Sequence, residues 1–411
     1  MSSTPGVTGR ESGLPRTVKG LSLVSLFNDF ASEMVYPLLP AFVTRTLGAG
    51  PLALGLLDGA SELTSSAVKW ISGRMSDREG WSRPLILGGY ATAVLVRPLI
   101  AIAGAAWQVI GFRIVDRIGK GIRTPPRDAL IATITAPTAR GRAFGFHRGA
   151  DHFGAVLGSL AAWWLLQWGA EVRSVIGWSV VPGVVAFLVL MVVLRRAGSR
   201  EPGAWNLLPE STPRTHLYSP NTQAPAPGSQ LLAPSSFWPP MLALAALTFF
   251  RLPEALLILR LQDRGVSIVS VPLVWAGLHV VRSASSYPGG RIADRIGAGK
   301  TVAAGGFLFA LVAAGLGLPV DAAWAVVLFL ALGLVAGLSE AGERSIVARL
   351  SPVRTGRGFG IYHALIGIAA LPAGILFGSL YQGMNGGAAL WASAGGMLAA
   401  VFFWILVSPV E

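Results

Sequence analysis

No cysteine occurs in the 411 residues, so disulfides and thiolate metal sites are excluded outright. Charge is scarce too: charged residues are 13% of the chain, against roughly 25% in ordinary soluble domains. The first twenty residues, with Pro5, Arg10, Pro15, Arg16 and Lys19, lack the apolar core and small-residue cleavage site of a secretory signal. No run of metal ligands, no nucleophile motif and no phosphate-cradling glycine loop is present, so the chain does not read as an enzyme and implies no cofactor. What remains is apolar, at 53% of residues. One buried core cannot absorb that excess; a polytopic membrane protein can, because its helices face lipid or one another.

Twelve apolar segments follow in order, each near the roughly 20 residues that cross the hydrocarbon. Segments 1 to 6 run over 19–44, 52–75, 83–105, 107–124, 142–168 and 174–195. Segments 7 to 12 run over 238–261, 267–289, 301–319, 322–348, 357–382 and 386–408. The net charge of +13 invites a nucleic-acid reading, but the basic residues are not one patch. They fall in alternate loops (Arg74, Arg78, Arg83; Arg123, Arg127, Arg140, Arg142; Arg195, Arg196; Arg291, Arg295, Lys300), while the opposite turns hold little beyond Arg45, Arg173 and Arg264. By the positive-inside rule the Arg-rich loops and both termini are cytoplasmic, in the inner (plasma) membrane. Residues 196–236 carry Pro202, Pro209, Pro213, Pro220, Pro225, Pro227 and Pro234 among polar residues and read as an extended linker. The expected plan is a tail over 1–18, a six-helix bundle over 19–195, the linker, and a second bundle over 237–411.

The loop after segment 2 reads Gly73-Arg74-Met75-Ser76-Asp77-Arg78-Glu79-Gly80-Trp81-Ser82-Arg83. The pattern returns after segment 8 at Gly290, Asp294, Arg295 and Gly297, a shift of 217 residues (290 − 73). Gly141-Arg142-Ala143-Phe144-Gly145 is likewise echoed by Gly356-Arg357-Gly358-Phe359-Gly360. Repetition at half the chain's length marks an internal duplication. Through Gly73, Asp77, Arg78, Gly80 and Arg83 the chain resembles the major facilitator superfamily, whose loop between helices 2 and 3 reads G-x-x-x-D-R-x-G-basic. Arg117 and Gly121 match part of the family's fourth-helix pattern, with Lys120 where Gln is usual. Gly145, Gly154 and Gly158 fit the first part of the exporters' fifth-helix glycine pattern, which packs helix 5 on helix 8; Ser159, Ala162 and Trp163 depart from it.

The resemblance implies an all-α membrane fold: twelve transmembrane helices in two pseudo-symmetric six-helix bundles. It also implies that helices 1, 4, 7 and 10 line a central cavity, that 2, 5, 8 and 11 complete it, and that 3, 6, 9 and 12 face lipid. The charges agree, since an ionisable group inside a bilayer is tolerated only where it faces protein or water. Segments 6, 9 and 12 have none in their middles and segment 3 only Arg97. Segment 1 carries Asp29 and Glu33 and segment 2 Asp58 and Glu62, each pair four apart and so on one helical face. Segment 5 adds His147 and Asp151, segment 7 Arg251 and Glu254, segment 8 His279 and Arg282, and segment 10 Glu340 and Glu343.

These charges admit three readings. Some tie helices together, with Asp58 or Glu62 paired to Arg97 as the expected example. At least one carboxylate of segment 1 carries a proton during transport, because two like charges one turn apart cannot both ionise cheaply. A divalent-metal site from Asp29, Glu33, His147 and Asp151 is the least favoured, and no metal is assigned. The motif residues Gly73, Asp77, Arg78, Gly80, Arg83, Gly290, Asp294 and Arg295, with Arg127 and Asp128, form the expected cytoplasmic gate. Pro125 and Pro126 should end segment 4 just before that pair. The expectation is a monomeric secondary transporter working by alternating access, exporting a small organic molecule in exchange for protons. Uptake of a metabolite or metal chelate, and a non-transporting sensor on the same scaffold, are the alternatives.

Overall fold

The computed structural model describes residues 14–76, 80–135, 139–200, 237–350 and 355–408. Within them no strand occurs, and the helical segments group into twelve rods. α1 is Arg16–Val35, continued by the tighter turns Tyr36–Leu38, Leu39–Ala41 and Phe42–Thr46; α2 is Pro51–Ser76. α3 joins Ser82–Val96 to Arg97–Ile102, α4 is Ala106–Ile134, α5 is Arg140–Gln167, and α6 joins Val172–Trp178 to Val180–Arg200. α7 is Trp238–Phe249 and Glu254–Asp263, α8 is Val271–Ile296, and α9 is Ala298–Gly317. α10 is Ala322–Leu350, α11 is Thr355–Gly383, and α12 is Gly386–Val407. Residues 1–13 and 201–236, most of the expected tail and linker, lie outside the described residues, as do Asp77 and Arg78.

Among the described residues seven rods are long and apolar enough to cross a membrane on length and composition alone: α3, α6, α7, α9, α10, α11 and α12. The other five, α1, α2, α4, α5 and α8, carry most of the internal charge. Their low hydropathy is the signature of a polar interior shielded by neighbouring rods. Outward faces are apolar, with Leu95, Leu188, Phe307, Phe402 and Leu406 exposed to where lipid tails would lie. Exposed Trp107, Trp168 and Trp324 cluster at rod ends far from the termini, as an interfacial aromatic belt requires.

Two expectations about local structure change. α4 does not end at Pro125 and Pro126 but runs through them to Ile134. Pro125 removes the N–H that would bond the Gly121 carbonyl, and the Ser72 hydroxyl of α2 donates to that carbonyl instead, at 2.7 Å. The repeated loop motif is mostly helical. Gly73 lies in α2, and Gly290, Asp294 and Arg295 lie in the last turns of α8. The turn itself falls to Gly80 (φ 80°) and Gly297 (φ 98°), equivalent positions in the two copies, where a positive φ favours glycine.

Without a hydrophobic drive between helices in lipid, close backbone approach holds rods together. Across the two halves, α2 and α11 touch backbone to backbone. A Cβ on Gly55 would collide with the Gly374 carbonyl, one on Gly59 would lie 2.8 Å from the Ala370 carbonyl oxygen, and one on Gly378 would lie 2.9 Å from Leu52 Cα. The main apolar core crosses this seam, joining Tyr36, Phe42 and Leu57 to Leu256, Trp275 and Phe377 at the end away from the termini. At the terminus-bearing end the first half keeps a core of its own, around Val18, Tyr90, Leu130 and Leu190. The α2–α11 seam continues past the middle of both rods, where a Cβ on Gly367 would lie 2.7 Å from Ser66 Cβ, but the shared apolar core closes the far end.

Candidate functional site

Between the halves lies a cavity of about 950 Å³, lined from α1, α2, α4, α5, α7, α8, α10 and α11. No residue of α3, α6, α9 or α12 among those described reaches it. Tyr36, Asp58 and Trp275 mark its deep end, while Gly145, Tyr287 and Arg344 lie toward the terminus-bearing end. Tyr287 is 74% exposed there. The cavity is thus a cul-de-sac that opens on the side of the termini.

Three hydrogen bonds cross between halves at or beyond its closed end. Asp58 accepts from the Ala255 backbone N–H at 2.8 Å and lies 3.1 Å from the Tyr36 hydroxyl. Ala255 sits in the first turn of Glu254–Asp263, the helix that restarts α7 after its break. That helix has no capping side chain of its own, so Asp58 of α2 serves a helix of the other half. Glu33 accepts from the Trp275 indole N–H at 2.8 Å, with His279 Nε2 at 3.8 Å. The Leu52 N–H donates to the Gln382 side-chain oxygen at 3.2 Å. Among the described residues Asp29 accepts a hydrogen bond within α1 alone, from the Asn28 amide at 3.0 Å.

Behind the cavity wall, Arg97 is paired with Asp116 at 2.9 Å, not with Asp58 or Glu62. Both side chains are under 5% exposed, and Arg97 also donates to the Asn28 carbonyl at 2.9 Å. Helix rotation turns Asp58 and Glu62 into the cavity and Asp116 toward α3. Arg251 meets Glu343 at 3.6 Å, and the Tyr362 hydroxyl donates to the same carboxylate at 2.6 Å. Arg282 pairs with Glu254 at 2.8 Å.

The Major Facilitator Superfamily model matches residues 21–338. The chain belongs to that superfamily. An uncharacterized MFS-type transporter of Methanocaldococcus jannaschii is 26% identical over 378 residues, 90% of this chain and 89% of the relative. An uncharacterized protein of Mycobacterium tuberculosis is 29% identical over 365 residues, 88% and 84% of the two chains. Multidrug resistance protein MdtH of Photorhabdus laumondii matches a shorter stretch, 32% identical over 135 residues and 33% of each chain. Among solved structures, a POT family transporter in complex with 5-aminolevulinic acid has a TM-score of 0.76 at 10% identity, covering 98% and 97% of the two chains. A bacterial homolog of the human lysosomal transporter Spinster, inward-facing and unoccupied, has a TM-score of 0.64 at 19% identity and 95% coverage of both. At these identities the structures share the fold. An integral membrane transporter of this superfamily, not an enzyme, is what the chain is.

Of the expected site residues of this superfamily member, Asp29, Glu33, Asp58, Glu62, Arg117, Asp151, Arg251, Glu254 and Glu340 line the cavity. His147 does not. It is 1% exposed, with its Nδ1 3.4 Å from the Ser22 hydroxyl, so the metal set built on it is not assembled. Glu343 also lies outside the lining, behind Arg251. Arg127 points into the first bundle, against Asp128 (2.9 Å), Ser25 (3.2 Å) and Tyr90 (3.4 Å). Its expected contacts with Asp77 and Arg78 fall outside the described residues. Arg83, Asp294 and Arg295 are exposed at the terminus-bearing end. Gly154 and Gly158 receive the Leu26 and Phe30 carbonyls of α1, so these two pack on α1, not α8, while Gly145 lines the cavity. Sequence reasoning missed Asp116, Arg113 and Trp275 as functional positions; only their intramembrane polarity or lone aromatic character marked them.

Proposed function

We propose that this protein moves a small organic molecule across the plasma membrane by alternating access, in the export direction and in exchange for protons. Both termini are cytoplasmic, so the conformation described above is open to the cytoplasm, and a single copy suffices because one chain encloses the whole cavity. The carrying observation is that Glu33 and Asp58, acidic groups of the first half, hold bonds to the second half at the closed end of the cavity. A proton arriving on either carboxylate weakens an acceptor that keeps that end shut, which ties protonation to conformation. The shared stretch with a relative named for multidrug resistance supports export.

Glu33, with Asp29 one turn away, is the coupling carboxylate in this scheme. The test is substrate-dependent proton flux in proteoliposomes, run with the pH gradient in each direction over a compound panel. Glu33→Gln should abolish gradient-driven accumulation and spare substrate exchange, because exchange needs binding and rocking but no net proton movement. Full gradient-driven transport in an Asp29→Asn, Glu33→Gln double variant would remove both residues from the coupling scheme.

A further inference from the structure

α4 presents Arg113, Arg117 and Lys120 to the cavity, at spacings of four and three residues that keep them on one face. Four other cations line the cavity, and each has a carboxylate within 4.0 Å: Arg148 with Asp151, Arg251 with Glu343, Arg282 with Glu254, and Arg344 with Glu340. Arg117 and Lys120 have no such partner among the described residues. Arg113 Nη1 is 3.6 Å from Asp116 Oδ2, and Arg97 holds the other oxygen of that carboxylate at 2.9 Å, so one carboxylate serves two guanidinium groups. Arg113 is only 1% exposed, yet its Nε and Nη1 make no hydrogen bond. The acids of α1 and α2 share the cavity with Arg117 and Lys120 but do not contact them within 4.0 Å. Asp29, Glu33, Asp58 and Glu62 accept instead from Asn28, Trp275, Tyr36 and Ser66. Arg117 and Lys120 thus keep donors facing the cavity without a contacting carboxylate, a costly arrangement inside a membrane unless something visits it.

Two buried aromatic rings, Tyr36 (8% exposed) and Trp275 (2%), close the deep end beside the row. The Arg113 guanidinium lies 5.2 Å from the Tyr36 ring centre, and the Trp275 ring is 5.2 Å beyond that. The cavity's roughly 950 Å³ also far exceeds a bare inorganic ion and falls in the range of about 300–1,000 Å³ typical of small-molecule sites. We infer that the α4 face, at Arg117 and Lys120, binds the oxyanion of an amphipathic organic anion whose apolar body points toward Tyr36 and Trp275 at the deep end. This names the substrate class and rests on the transport reading above. Guanidinium and ammonium donors suit an oxyanion, and charge-assisted bonds in a partly dry site are worth more than neutral ones.

Phenylacetate, phenylacetamide and phenethylamine share a ring and a reach and differ in charge. Binding of each to the purified full chain is read by tryptophan fluorescence and by thermal unfolding in detergent. Phenylacetate should bind saturably and raise the melting temperature, and the amide and the amine should not. Lys120, which faces the open cavity, is the first substitution: Lys120→Gln should weaken phenylacetate binding about tenfold, with Lys120→Arg restoring it. Arg117→Gln should act in the same direction. Benzyl phosphate tells whether a phosphate is preferred to a carboxylate, and inorganic phosphate alone should not saturate the site. Preference for the amine, equal binding of all three ring compounds, no phenylacetate binding up to millimolar concentration, or full binding in the Arg117→Gln, Lys120→Gln double variant would each overturn the inference. Binding in detergent needs no gradient. Saturable anion binding without gradient-driven flux would therefore sink the transport reading and leave the anion site standing.

Discussion

Replacing Gly378 by Val tests whether the α2–α11 seam is what closes the far end of the cavity. A Cβ there would stand 2.9 Å from Leu52 Cα and 3.3 Å from the Pro51 carbonyl oxygen. Carbon pairs settle at about 3.5–4.0 Å, so the two backbones must separate by more than half an ångström before the valine methyls are placed. Overpacking of this kind typically costs about 1–3 kcal/mol. Gly378 lies outside the cavity, and the cost falls on the far-closed state alone, because the seam is apart once that end opens. A penalty of that size shifts a two-state equilibrium by about 5–150-fold. The natural absence of cysteine makes the readout direct. Ser283→Cys places one exposed thiol on the cavity wall, and a membrane-impermeant maleimide is added from one side of oriented vesicles at a time. In the otherwise unaltered chain, labelling should come from the terminus-bearing side. With Gly378→Val it should rise from the opposite side by at least fivefold. Unchanged sidedness at normal levels of folded protein would refute the seam as the closure.

Asp116→Asn leaves Arg97 buried without its carboxylate and should lower stability by about 3–5 kcal/mol, read as a fall in the unfolding midpoint in detergent; Glu62→Gln, whose partner is only Ser66, should cost far less. Ser72→Ala orphans the Gly121 carbonyl and should destabilise by about 1–3 kcal/mol, with the loss confined to variants that keep Pro125, so a Pro125→Ala background should remove most of it. Asp77→Asn should leave expression intact and slow transport in proteoliposomes if the motif latches the cytoplasmic side, and wild-type rates would take the latch out of the scheme.

The number and order of the rods were legible because a bilayer imposes one length on every crossing and because interior charge is confined to certain crossings. The division of labour among helices was legible for the same reason: the silence of segments 6, 9 and 12 corresponds to rods that never reach the cavity. Pairing was not legible. Asp58, Glu62 and Asp116 are all acids on rods beside Arg97, and only the rotation of α2 and α4 about their axes sends the first two to the cavity and the third to Arg97. The run through Pro125 and Pro126 was hidden because its remedy, Ser72, comes from a different helix. The α5 glycines show the same limit. Their spacing announced close packing, but which neighbour they admit depends on the face they occupy. Trp275 bonds a residue 242 positions away, and nothing local to either residue foretells that.

The cap that Asp58 lends to Glu254–Asp263 gives the far end two electrostatic characters. While the halves touch there, the carboxylate and the helix N-terminus partly offset each other. When they part, the same motion uncovers a free anion on one wall and the roughly half-unit positive end of a helix on the other. A passenger would then meet a surface whose polarity is written by the conformation itself, so its grip could differ between loading and release without any side chain being exchanged.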